Sequence, residues 1–206
     1  MKLFLASEGS DPRTTKKLEN YVGGWSGKKV IYIPTARNGS NQFGTWKDSS
    51  TWKFLKSTGM EIEAVQLENY KDFIDPKIFE DADILWVSGG ACGYLMYWII
   101  RTGLDKMLPK ILKKTLYVGS SAGSMITSPT LKIADWFIGE TERGASYLPG
   151  LGLTDFDFYP HYDENLKSEI ISKYKGNKMY LVRDGDALIY EDNKVIVLGE
   201  ENIIAK

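Results

Sequence analysis

The sequence predicts an α/β fold, with a mostly parallel sheet flanked by helices on both faces in three α/β/α layers. Short apolar runs alternate with longer amphipathic segments along the chain, which is the texture of repeated βα units. The chain has 206 residues with 43% hydrophobic content, enough to bury a sizeable core as one domain, so residues 1–206 read as a single unit. No repeat, low-complexity tract or linker interrupts it.

The strands expected in the first half are Lys2 to Ala6, Lys29 to Pro34, Glu61 to Leu67, Asp83 to Val87 and Thr115 to Val118, each rich in Val, Ile, Leu or aromatics. Helices are expected from Pro12 to Tyr21, Trp46 to Ser57, Gly93 to Arg101 and Leu104 to Lys113. The first is entered through Asp11 as a cap before Pro12. Pro109 removes a hydrogen bond inside the fourth and is expected to kink or split it. From Ile126 to Phe158, prolines, glycines and scattered aromatics lack periodicity and read as loops and irregular strands. Order returns with a helix near Glu164 to Tyr174, a strand at Met179 to Val182 and a hairpin from Ala187 to Leu198 around Asp192 and Asn193.

Composition excludes several classes of function. Lys plus Arg number 26 against 27 for Asp plus Glu, so no whole-chain field favours nucleic acid or acidic lipid. The one cysteine, Cys92, rules out an internal disulfide framework or a multi-cysteine zinc site and suits a reducing, cytoplasmic setting. The opening apolar run is too short for a signal peptide. The longest apolar stretch, Tyr94 to Ile100, falls well below the roughly 20 residues of a membrane crossing, so a soluble protein is expected.

The sharpest local signal is the strand Leu116-Tyr117-Val118 running into Gly119-Ser120-Ser121-Ala122-Gly123, which fits a strand-turn-helix nucleophile elbow. Such a turn strains the backbone at the nucleophile and needs small residues two positions away on either side. Ser121 has a glycine at each of those positions and Ser120 does not, so Ser121 is the expected nucleophile. Ser120 and Ser124 read as turn or helix-cap residues. A helix starting here would aim backbone N–H groups at the reaction centre, with Ala122 as the first donor to a developing oxyanion.

A serine hydroxyl needs a base near neutral pH, usually imidazole. The chain has one histidine, His161, which follows the alternating stretch Phe156 to Pro160 and can stand at a strand end facing the elbow. The third member should be a carboxylate that fixes the imidazole tautomer. Asp184, just past a strand, is the first choice, and Asp135, Asp157, Asp163 and Asp186 are alternatives.

An α/β-hydrolase runs Ser, acid, His. With Asp184 as the acid, the order here is Ser, His, acid. That order, the short chain and the open βα repeat favour a class I glutamine amidotransferase-like, flavodoxin-like sheet, whereas Asp135 or Asp157 would restore the other order.

Four segments together resemble the peptidase E family of serine peptidases (peptidase family S51). They are Ile31 to Ala36, Val87-Ser88-Gly89-Gly90, Gly119 to Gly123, and Pro160-His161-Tyr162. The likeness covers nearly the whole chain. It implies Ser121 as nucleophile, His161 as base and Asp184 as acid, where relatives often carry Glu. It also implies a second oxyanion donor at Gly90, in the turn Ser88 to Ala91, since a glycine pair after a buried strand lets the backbone approach a substrate oxygen. Cys92 follows that turn and reads as a packed or partly exposed thiol, because serine occupies the elbow.

The family's aspartyl dipeptidases use an arginine in an insert after the histidine, and here His161-Tyr162-Asp163-Glu164 passes straight to Asn165. Their preference for aspartate is therefore not carried over, and Ala91 stands where the family has Asn. Arg37 and Arg143 are candidate partners for a substrate carboxylate.

The resulting expectation is a serine hydrolase that cleaves short peptides through an acyl-enzyme. It would use no metal or organic cofactor, act on a small peptide substrate, and work as a monomer or homodimer with Trp46 and Trp52 available to an interface. A non-peptidase esterase or amidase, or a binding module with a degenerate site on the same fold, is the alternative.

Overall fold

The computed structural model describes residues 1–40, 44–138 and 141–205. In chain order its strands are β1 (Lys2–Ala6), β2 (Lys29–Ile33), β3 (Glu61–Ala64), β4 (Ile84–Val87), β5 (Leu116–Ser120), β6 (Asp157–Tyr159), β7 (Lys178–Leu181), β8 (Ala187–Glu191), β9 (Lys194–Leu198) and β10 (Ile203–Ala205). The α-helices are α1 (Pro12–Val22), α2 (Thr35–Asn38), α3 (Ser50–Ser57), α4 (Cys92–Arg101), α5 (Leu104–Ile111), α6 (Ala122–Met125) and α7 (Lys167–Lys173).

The main sheet runs β3-β2-β4-β5-β1-β8-β9. Its first five members are mutually parallel, and the β8–β9 hairpin adds antiparallel to β1. Side chains alternate across each strand. Leu3, Leu5, Ile31, Ile33, Leu85, Val87 and Tyr117 therefore join one buried cluster, while Phe4, Ala6, Val30, Tyr32, Ile84, Trp86 and Val118 join another. A sheet buried on both faces reads as continuous apolar runs, and this is why these strands were visible in the sequence.

A second sheet, β10-β7-β6, pairs β6 parallel and β10 antiparallel to β7. It lies within the expected irregular stretch and the tail, and β10 was not anticipated. Its residues Ile203 to Ala205 are partly or fully exposed, so they carry no core signature.

The expected cap of α1 is present. Asp11 accepts from Arg13 N–H at the start of α1, and Gly23 ends it with φ 75°. The helix expected over Trp46 to Ser57 is divided: a 3-10 turn at Trp46–Asp48 precedes α3, because Ser49 takes extended angles and caps Trp52 N–H. Likewise Glu61 to Leu67 stops as a strand at Ala64, and Leu67 opens a 3-10 turn. Pro109 does not split α5. It lies on the exposed face of the helix. Asp192 and Asn193 both take positive φ (51° and 60°) in the β8–β9 turn, as a tight hairpin requires.

Trp46 and Trp52, read as available to an interface, also pack within the chain. Trp46 is buried, its ring 4.8 Å edge-on from Trp52, and both pack on Tyr32. Among the described residues no helix is long and apolar enough to cross a membrane.

Candidate active site

The carboxyl ends of the parallel strands form one edge, and the site is built along it. Ser121 follows β5 directly and holds φ 47° and ψ −109°, an angle pair that L-residues rarely adopt. The turn survives because of its glycines, and the requirement is space rather than φ. A Cβ on Gly119 would lie 2.7 Å from Gly123 O, and one on Gly123 would lie 2.3 Å from Val87 O. Not even alanine fits at either place. Tyr117 Oη donates to Gly123 O at 2.6 Å, and Ser121 N–H donates to Ala6 O at 3.1 Å, tying the turn to its own strand and to β1.

Ser120 and Ser124 take supporting positions. Ser120 Oγ accepts from Gly9 N–H at 2.9 Å, and Ser124 Oγ donates to Ala6 O at 2.8 Å.

His161 reaches Ser121 from the second sheet. The parallel register Tyr159↔Leu181 continues with Tyr162 N–H donating to Val182 O. The segments after β6 and β7 therefore leave that sheet side by side, which brings Asp184 to His161. His161 Nε2 lies 2.9 Å from Ser121 Oγ, and His161 Nδ1 lies 2.8 Å from Asp184 Oδ1. His161 also has positive φ, 53°. Among the described residues, positive φ away from glycine occurs only at Ser121, His161 and the two hairpin-turn residues. The strain is thus concentrated on two side chains that touch.

Ser7, which sequence reasoning missed, joins this line. It follows β1, is fully buried, donates from Oγ to Asp184 Oδ1 at 2.6 Å and accepts His161 N–H at 2.7 Å. One hydroxyl thus fixes both the carboxylate and the strained histidine backbone. The signal was a polar residue at the end of the buried strand paired to β5, with Ala6 opposite Ser120. The loop carrying Asp184 is braced from α1. Arg13 forks onto Asp11 and donates to Asp184 O at 2.8 Å, and Lys17 donates to Gly185 O, Asp186 Oδ1 and Leu198 O.

Hydrogen bonds from His161 first, and then from Ser7, hold the Asp184 carboxyl below the usual carboxylate range, against its partial burial. The pair is not deeply enclosed: the His161 side chain is 35% exposed and that of Asp184 49%. The other carboxylates have different partners. Asp135 accepts from Gly144 N–H and from Ser146, Asp157 from Tyr174 Oη, and Asp163 from Asn165 N–H, while Asp186 pairs with Lys17.

Gly90 and Ala122 flank the serine. Gly90 has φ 136°, and a Cβ there would lie 2.3 Å from Ala36 O, so the turn over Ser121 demands glycine. A Cβ on Gly89 would come 3.1 Å from Ser121 Cβ. Neither Gly90 nor Ala122 gives its N–H to a partner among the described residues. Gly90 lines the cavities at Ser121, and Ala122 is buried beside the serine.

Two cavities meet at Ser121 and Gly90. One, of about 180 Å³, has an apolar wall of Cys92, Met125, Ala134 and Phe137 with Glu142 beside it. The Glu142 carboxylate accepts from Gly93 N–H and Tyr94 N–H at the start of α4. The other, of about 190 Å³, is polar and is lined by His161, Glu8, Tyr32, Arg37 and Ser88. Arg37 therefore reaches the site, whereas Arg143 is exposed and lines neither cavity. Cys92 is buried with Sγ 3.7 Å from Met125 Sδ, as expected of a packed thiol. Among the described residues no cluster of His, Cys, Asp and Glu could hold a metal ion.

A parallel α/β sheet with serine, imidazole and carboxylate in hydrogen-bonded sequence at its carboxyl edge defines the serine-hydrolase class of site. The chain belongs to peptidase family S51, whose family model matches residues 3–198, and it is a serine-type peptidase. It is 28% identical to an uncharacterized peptidase of Listeria monocytogenes over 94% of this chain and 96% of that one. It is 26% identical to a peptidase E of a Nostoc species, over 91% and 79% of the two chains. A crystal structure from Listeria monocytogenes EGD-e, provisionally assigned as a peptidase E, superposes with a TM-score of 0.78 at 26% identity, covering 95% of this chain and 96% of that one.

Proposed function

We propose that the chain is a dipeptidase or amino-terminal exopeptidase that works through an acyl-enzyme on Ser121. The observation that carries this reading is the unbroken line Ser121 Oγ, His161 Nε2, His161 Nδ1, Asp184 Oδ1, with contacts of 2.9 and 2.8 Å. Ser121 Oγ attacks the scissile carbonyl as its proton passes to His161, while Asp184 holds the imidazole in the tautomer that leaves Nε2 free to accept. The developing oxyanion is received by Gly90 and Ala122 N–H groups. His161 gives its proton to the leaving nitrogen, and water then clears the acyl group by the same path reversed.

The leaving nitrogen must pass His161, so it departs into the cavity that His161 lines, and the acyl residue lies in the other. Glu142 suits that second cavity to the ammonium of an amino-terminal residue with a neutral side chain, and it opposes an acidic one. This agrees with the absence of the arginine-bearing insert after His161.

Hydrolysis of a complete X-Ala dipeptide set, followed by release of free alanine, tests the reading. Neutral X should be cleaved at least about tenfold faster than Asp or Glu. Failure to cleave any dipeptide while simple esters are turned over would replace the peptidase assignment with an esterase.

A further inference from the structure

The polar cavity on the His161 side contains more chemistry than proton transfer requires. Arg37 and Glu8 bring opposite charges to it. Tyr32 and Ser88, 0% and 3% exposed, also line it; the Tyr32 hydroxyl lies close to those of Ser88 and Ser49, but neither Tyr32 nor Ser88 makes a well-aligned hydrogen bond among the described residues. Buried hydroxyls are normally satisfied, so a pair without well-aligned partners beside a guanidinium points to a ligand with several acceptor oxygens. A carboxylate fits that set, because two hydroxyl donors and a planar guanidinium can share its two oxygens.

We infer that this cavity binds the leaving amino acid by its free α-carboxylate, through Arg37, Tyr32 and Ser88, and so restricts the enzyme to substrates that end one residue past the scissile bond. The inference rests on the acyl-enzyme reading above. As the C–N bond breaks, the proton taken from Ser121 reaches the departing nitrogen through His161, and a free amino acid is released. Its amine takes a second proton from water and becomes an ammonium. Glu8, anchored by Ser10 N–H and Oγ, supplies the opposite charge for it.

The discriminating substrates are the best-cleaved X-Ala dipeptide, its carboxamide X-Ala-NH2 and the tripeptide X-Ala-Ala, assayed on the intact protein. The wild type should favour the dipeptide over the carboxamide by about 100-fold in kcat/KM, and over the tripeptide similarly. In Arg37→Met that ratio should fall to within about threefold of one. Tyr32→Phe, which removes one hydroxyl and no packing, should lower it about three- to tenfold, and this variant together with the wild-type ratio decides the matter if Arg37→Met does not fold. Equal cleavage of dipeptide and carboxamide by the wild type, or an undiminished ratio in a folded Arg37→Met, overturns this subsite alone. Cleavage of none of the three overturns the peptidase reading with it.

Discussion

At the scale of single residues, the line through Ser121, His161 and Asp184 is paired with Ser7, which holds two of its members at once. Ser121 and His161 were legible because serine stands between glycines and only one histidine is present. Ser7 was not, because its partners lie 154 and 177 residues away, and its place at the end of a buried strand does not by itself point to them. Asp184 was legible only as one aspartate among several, since a carboxylate's partner depends on strand register rather than on neighbours in sequence. Its half-exposed position matters for the size of its effect, because water weakens a charge pair. Asp184→Asn should therefore lower kcat by about 10²-fold rather than the ~10⁴-fold seen where such an acid is buried. Ser7→Ala should lower kcat and also destabilise the fold by about 1.5–3 kcal/mol, the range for a hydrogen bond to a charged group. Steady-state kinetics and urea unfolding on the same preparations check both. Loss of stability with unchanged kcat would confine Ser7 to a structural role.

At the scale of elements, the β5–α6 turn is the most demanding feature of the chain. Sequence logic found its glycines as small residues, glycine or alanine, that let neighbouring chain pass the strained serine without collision, and only the tolerance of alanine fails. In the structure their role is close approach, with Gly123 packed against Val87 O and Gly119 against Gly123 O. Gly123→Ala is accordingly predicted to cost several kcal/mol or to prevent folding, as overpacking against backbone does, and thermal unfolding measures it. A variant as stable as the wild type would mean that the turn shifts freely. The second sheet was less legible than the first. β6 has three residues and β10 lies partly in solvent, so neither has the buried apolar run that revealed β1, β2, β4 and β5, although this small sheet delivers His161 and Asp184 to the serine.

At the scale of the whole molecule, the main sheet puts its chemistry at one edge because parallel strands end together there, and β1 and β5 are neighbours in it. That architecture was legible in outline from the βα alternation, while the meeting of the two sheets was not, since it depends on contacts between distant segments. Charge adds a pH dependence to the fold. The carboxyls of Asp184, Asp11, Glu164 and Glu191 are held below their usual range, chiefly by hydrogen bonds from His161, Arg13, Tyr162 and Lys2 respectively. A depressed native pKa contributes stability that is present above the unfolded value, roughly 4, and is lost as pH falls through the native one. Asp157 works in the other sense, its pKa raised by burial. Because the lowered carboxyls outnumber it, urea midpoints should stay level from neutral pH to about 5 and drop below about 4. A midpoint that rises on acidification would contradict this balance.

The central claim is that Ser121 is the nucleophile and His161 its base. Intact mass and peptide mapping after reaction with a fluorophosphonate test it most directly. One adduct on Ser121 is predicted, absent in Ser121→Ala and formed far more slowly in His161→Ala, with both variants folded by circular dichroism. An adduct at another residue, or one that persists in Ser121→Ala, would contradict the account.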